Sequence, residues 1–206
     1  MYKTQMKLQK ILCLLAVIVA VILFLYSLGI MTDLYDTLYT TLRIRVVGEN
    51  GDYSLNVTER DVPGASMYTD MSQNLNQWLV AASIVYILTA VLLFVTNTNV
   101  RRRYYIGNYV SIGLFAAASL YIPIASHGAI EYYKAQWIKV DFTALKEYSE
   151  MFHSAYTEST LWFDLHYAVY ALMILMAALL VANAVWKVML MQEEARLVAQ
   201  GKGAKA

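Results

Sequence analysis

The chain has 206 residues and a net charge of +1; 59% of it is apolar and 15% charged, against about 45–50% and about 25% for soluble globular domains. That balance excludes an ordinary soluble domain. With basic residues confined to short clusters, it excludes a nucleic-acid-binding face as well.

The first predicted element is ILCLLAVIVAVILFLYSLGI (11–30), uncharged throughout. At about 1.5 Å per residue it reaches about 30 Å, the thickness of a bilayer's hydrocarbon core. Lys3, Lys7 and Lys10 before it resemble the n-region of a signal peptide. The apolar run is too long for one, however, and no small-x-small cleavage site follows, so a retained signal-anchor helix is expected. Cys13 within this run is the only cysteine. It allows no disulfide within the chain and no Cys/His zinc spacing. Outer loops without cysteine pairs favour a bacterial origin.

Residues 31–77 are expected to form a first outer loop. LRIRVV (42–47) and YSLNVT (53–58) alternate about the turn residues GENG (48–51), a β-hairpin pattern. VPG (62–64) reads as a turn, and Thr69 or Asp70 as the cap of a helix entering the second span. Asn56-Val57-Thr58 matches the glycosylation sequon, which has meaning only on a eukaryotic secretory route. The second span is expected at 78–96, a short connector at 97–104 and the third span at 105–125.

A second outer loop follows at 126–164. Phe142, Leu145, Tyr148, Phe152, Ala155 and Tyr156 recur at three- and four-residue steps, the period of an amphipathic helix capped by Asp141 or Thr143. Its apolar stripe is expected to bury against the first outer loop. The fourth span is expected at 165–186, and 187–206 as a cytoplasmic helix and tail ended by Gly201-Lys202-Gly203. The fold class is thus an all-α membrane protein, a four-transmembrane-helix bundle with a partly β first outer loop and a helical second one.

Orientation is read from Lys and Arg. The termini and the 97–104 connector hold ten of the sixteen basic residues and, of the fifteen acids, only Glu193 and Glu194. Arg101, Arg102 and Arg103 form the strongest retention signal. Both termini are therefore expected in the cytoplasm and the protein in the plasma membrane. Trp78, Tyr104, Tyr105, Trp162 and Trp186 fall at interfacial depths, where amphipathic rings are favoured.

His127, His153 and His166 all fall on the outer side. Glu150, His153, Glu158, Asp164 and His166 offer metal-ligand chemistry, but no HExxH or other tight spacing joins them. Interfacial histidine is ordinarily an amphipathic anchor, so neither metal nor cofactor is expected. Tyr156, Glu158, Trp162, Asp164 and His166 make a dense polar and aromatic segment. It reads first as a cap and anchor for the fourth span, and otherwise as a contact surface. No ionisable residue falls at mid-span, which disfavours an autonomous ion-coupled carrier. Asn108 and Asn183 are placed near the cytoplasmic interface. Gly113 with Ala117, and Ala178 with Ala182, read as sites of close helix packing within the chain. No nucleophile–base arrangement can be assembled, so enzymatic activity is not expected.

The spans together with NTNVRRRYYIGNYVS (97–111) and YTESTLWFDLHY (156–167) resemble a group of uncharacterised four-span proteins of clostridial Gram-positive bacteria. The resemblance implies an accessory role beside carbohydrate ABC transporters. The expected function is a structural or accessory subunit of a larger membrane complex, with the lipid bilayer and other membrane subunits as partners. The alternatives are a membrane sensor that binds an extracytoplasmic ligand through its outer loops, and a small oligomeric channel.

Overall fold

A computed structural model describes residues 2–35, 43–48, 51–56, 60–98, 103–152 and 158–201. Its elements are α1 (Tyr2–Tyr35), β1 (Arg43–Gly48), β2 (Gly51–Asn56), α2 (Met67–Met71), a π-helical turn (Ser72–Asn76), α3 (Gln77–Asn97), α4 (Ile106–Trp137), α5 (Phe142–Phe152) and α6 (Leu161–Ala199). Four helices are long and apolar enough to cross a membrane: Tyr2–Ile30, Ser72–Asn97, Ile106–Trp137 and Leu161–Ala199. Each presents large apolar side chains outward. Leu25, Leu88, Ile124 and Leu175 are all more than half exposed, a pattern that lipid satisfies and water does not. The chain is a multi-pass helical membrane protein.

Helix ends follow local chemistry. Asn108 reaches back to accept from the Tyr105 amide at 2.8 Å, satisfying an orphan donor at the start of α4. Between the candidate caps of α5 the structure selects Asp141, whose Oδ1 accepts from the amides of Thr143 and Ala144 at 3.1 Å. Thr69 and Asp70 are not caps, because the helix has already begun at Met67. Gly201, at φ +69°, takes the left-handed conformation that ends α6. β1 and β2 pair antiparallel, with Arg43 opposite Asn56 and Gly48 opposite Gly51. Val57 and Thr58 of the sequon lie outside the described residues.

The chain divides into two compact units. The first contains Met1–Leu23, Ile84–Pro123 and Val169–Ala206; the second contains Phe24–Ser83 and Ile124–Ala168.

In the first unit Tyr86 stacks on Phe115 with ring centroids 4.8 Å apart, and its hydroxyl meets that of Ser119 at 2.9 Å. Ser119 also donates to the Phe115 carbonyl at 2.8 Å, so Tyr86 is the donor of the pair. Both residues are fully buried. Ser119→Ala should therefore cost about 1–3 kcal/mol, because it leaves a buried hydroxyl donor unpaired. Tyr86→Phe removes donor and demand together and should cost only about 0.6 kcal/mol, the average for such bonds between membrane helices. Reversible unfolding in detergent reads the order, and the reverse order would refute this assignment.

In the second unit Ser27 and Ser83 touch at 3.2 Å, while each donates to a carbonyl of its own helix at 2.7 Å. With both protons engaged, the pair serves close approach more than bonding. Gly29 shows the closest approach, since a Cβ there would overlap the Trp162 indole. The expected close packing at Gly113 and Ala117, and at Ala178 and Ala182, is not found: all four are exposed, and nothing lies within 4 Å of a Cβ built at Gly113. Spacing identified a small-residue face but not the side to which it turns.

The two loop regions of this unit meet. The Asp141 amide donates to the Pro63 carbonyl at 2.9 Å. Gly64, at φ +89°, brings its backbone against Val140. No side chain fits that position, because the conformation is left-handed and a Cβ would sit 3.0 Å from Val140 Cα. Val62, Ala65, Val140 and Leu145 are buried here. The remaining stripe side chains, Tyr148, Phe152, Ala155 and Tyr156, lie outside the described residues. Asn76, which closes the π-helical turn, is buried with neither amide atom hydrogen-bonded among the described residues.

Candidate functional site

Two polar clusters stand out among the described residues, one in each unit. In the first unit, Gln5 and Gln9 are one helical turn apart on α1, as are Asn183 and Lys187 on α6. Gln5 Nε2 donates to Gln9 Oε1 at 3.1 Å and to Asn183 Oδ1 at 3.2 Å. Gln9 Nε2 donates to the Asn97 carbonyl at 2.6 Å. Lys187 is fully buried; its ammonium donates to Gln5 Oε1 at 3.1 Å and lies 5.3 Å and 5.5 Å from the ring centres of Tyr2 and Tyr104. An amide oxygen and two π faces thus replace part of its lost hydration. Burial pushes the Tyr104 hydroxyl above its ordinary value. It therefore stays protonated and donates to Gln9 at 3.1 Å.

Asn108 crosses from α4 to the Thr96 carbonyl at 2.7 Å, and Asn97 donates to Ser111 at 2.8 Å. Asn108 and Asn183 are therefore bonded between helices. Lys187 counted in the sequence only as a topology signal, and Gln5 and Gln9 carried no reading at all. The signal that could have found them is the pair of one-turn spacings, each placing polar groups on one helical stripe beside an apolar run.

The second cluster is built by α4 and the first turns of α6. His127 and Glu131 are four residues apart and so share a face of α4, and His166 comes from α6. His127 Nδ1 is 2.9 Å from His166 Nε2, and His166 Nε2 is 3.8 Å from Glu131 Oε1. The other ring nitrogen of His166 bonds the Phe163 carbonyl. Tyr167 donates to Glu131 Oε1 at 2.9 Å. His166 is buried, Glu131 partly buried and His127 exposed, and one ligand atom of each lies within 4.8 Å of the others.

Of the metal-ligand candidates among the described residues, only His166 enters this cluster. Asp164 pairs with Lys134 and accepts from Thr160 at 2.8 Å; an acid bonded to an ammonium on α4 is not free to join the histidines. Glu158 is exposed, and its carbonyl accepts from the Trp137 indole at 3.4 Å. His153, Tyr156 and the Glu150 side chain lie outside the described residues. Of the expected contact surface, Trp162 packs on Gly29 and His166 faces inward, so those two support the fold. Arg103 is exposed, and Arg101 and Arg102 lie outside the described residues.

No protein-family model, curated protein or solved structure matches this chain.

Proposed function

We propose that the protein is a non-enzymatic accessory or structural subunit of a larger membrane complex, held in a bacterial plasma membrane with both termini in the cytoplasm. The orientation rests on the basic residues gathered at the termini and the 97–104 connector. The observation that carries the accessory reading is how the polar groups along the apolar helices are engaged. Tyr86 bonds Ser119, Ser27 and Ser83 satisfy carbonyls of their own helices, and the amides of Gln5, Gln9 and Asn183 bond one another and Lys187. A carrier or channel needs such groups turned toward a path. Here the Tyr86–Ser119 bond and the amide–Lys187 bonds brace helix against helix, which suits an anchor.

The outward small residues, Gly113 with Ala117 and Ala178 with Ala182, add faces against which another subunit's helices can pack closely. A carbohydrate ABC transporter as the host complex follows from the sequence resemblance alone. Purification from its own membrane in mild detergent, followed by mass spectrometry, should recover transporter subunits in fixed stoichiometry. A monodisperse protein without companions would contradict the reading.

A further inference from the structure

We propose that His127, Glu131 and His166 form a binding site for one divalent transition-metal ion of the zinc class, joining α4 to α6 within the second unit. Ligand atoms about 2.0–2.1 Å from a tetrahedral zinc ion lie about 3.3 Å from one another. His127 Nδ1 and His166 Nε2 are 2.9 Å apart, and His166 Nε2 and Glu131 Oε1 are 3.8 Å apart. The nitrogens must part by a few tenths of an ångström, and the Glu131 carboxylate, which lies within 4.8 Å of the His127 nitrogen, must close on it by up to about 1.5 Å. Side-chain rotations suffice.

The groups around these three are those that orient metal ligands. Because a carbonyl only accepts, His166 Nδ1 must carry the proton of its bond to the Phe163 carbonyl. Its Nε2 then presents a lone pair toward His127 and Glu131. A backbone carbonyl behind a histidine fixes the tautomer and ring angle in this way at many metal centres. The Tyr167 hydroxyl holds the Glu131 carboxylate at 2.9 Å, and Asp164 engages the neighbouring Lys134 ammonium.

Without metal, His127 Nδ1–H is the donor to His166 Nε2. On binding, His127 releases that proton and takes one on its Nε2, so its Nδ1 lone pair turns to the ion. The exposure of His127 gives solvent a route for this exchange. Two imidazoles and one carboxylate supply three ligands, and water completes the tetrahedron from the exposed side. None of this depends on the accessory role proposed above.

The test uses full-length protein purified in detergent through a tag without histidine, stripped with chelator and titrated with Zn2+, with Co2+ as an optical probe. The expected result is one ion per chain and the visible bands of tetrahedral Co2+. His127→Ala, chosen because the residue is exposed, should weaken binding at least tenfold. Glu131→Gln, which keeps an acceptor for Tyr167, should do the same. Tyr167→Phe should weaken it about tenfold, as losses behind a metal ligand do. His153→Ala should bind as the unaltered protein does, and elution volume and helical circular dichroism confirm the fold of each variant. The proposal is overturned if the stripped protein takes up no Zn2+ above a detergent blank, as a purely hydrogen-bonded cluster would. It is overturned equally if His127→Ala and Glu131→Gln bind unchanged, or if only His153→Ala loses binding.

Discussion

Arginine in place of Leu88 is expected to cost about 3 kcal/mol in membrane insertion of α3. Leu88 lies near the middle of Gln77–Asn97 and is 63% exposed, so its side chain meets lipid rather than another helix. Leucine at a span's centre favours insertion slightly, and arginine opposes it strongly, because the guanidinium must snorkel or draw water inward. About 3 kcal/mol corresponds to roughly a hundredfold in the partition between inserted and excluded α3. Leu88→Ala should leave insertion near normal. Tyr105→Arg, just before the start of α4 where the side chain reaches headgroups, should be tolerated. Glycosylation-mapped insertion of α3 reads all three. Normal insertion of Leu88→Arg would mean that this face of α3 does not meet lipid.

The second large effect is at Gly29. A Cβ there would stand 2.8 Å from Trp162 Cζ2 and closer still to Cζ3 and Cη2. The obstacle is a rigid indole rather than the tip of a flexible chain, so α1 or the indole must move. Overpacking of this kind costs about 1–3 kcal/mol, which for a chain of this size lowers the unfolding midpoint by several degrees. The contact makes a sharper statement as a double-mutant cycle. Trp162→Ala should itself destabilise, but Gly29→Ala should then add almost nothing. Strictly additive losses would show that the two residues do not share the contact.

How much of this was legible in the sequence depends on the period and reach of each signal. The four spans were legible because long uncharged runs have few alternatives in a chain this apolar. Their extensions were harder to place. α4 continues to Trp137, past the 105–125 span, through a stretch whose His127, Glu131 and Lys134 read as loop by polarity. Nothing in that stretch breaks a helix, and the turn comes only at 138–140. Placing those residues in a loop hid the one-turn spacing of His127 and Glu131, and with it two of the three residues of the proposed metal site.

His166 was legible as a candidate. The pairing of Asp164 with Lys134 was not legible, because that partner lies on another helix, where sequence proximity gives no hint. The same limit applies to Gly29, a glycine with no small partner at four-residue spacing, whose tight neighbour is an indole far along the chain. Lys187 counted only as a topology signal, because lysines after a span usually snorkel; its burial rests on Tyr2, Gln5 and Tyr104, none of them adjacent.

The central claim is four crossings with both termini in the cytoplasm, and cysteine accessibility tests it most directly. With Cys13→Ala removing the native thiol, single cysteines are placed at Asp61, Lys139, Arg103 and Gln200, all exposed. In intact cells a membrane-impermeant maleimide should label Asp61→Cys and Lys139→Cys. Arg103→Cys and Gln200→Cys should react only after permeabilisation. Labelling of Arg103→Cys or Gln200→Cys in intact cells, or protection of Asp61→Cys and Lys139→Cys, would contradict the account.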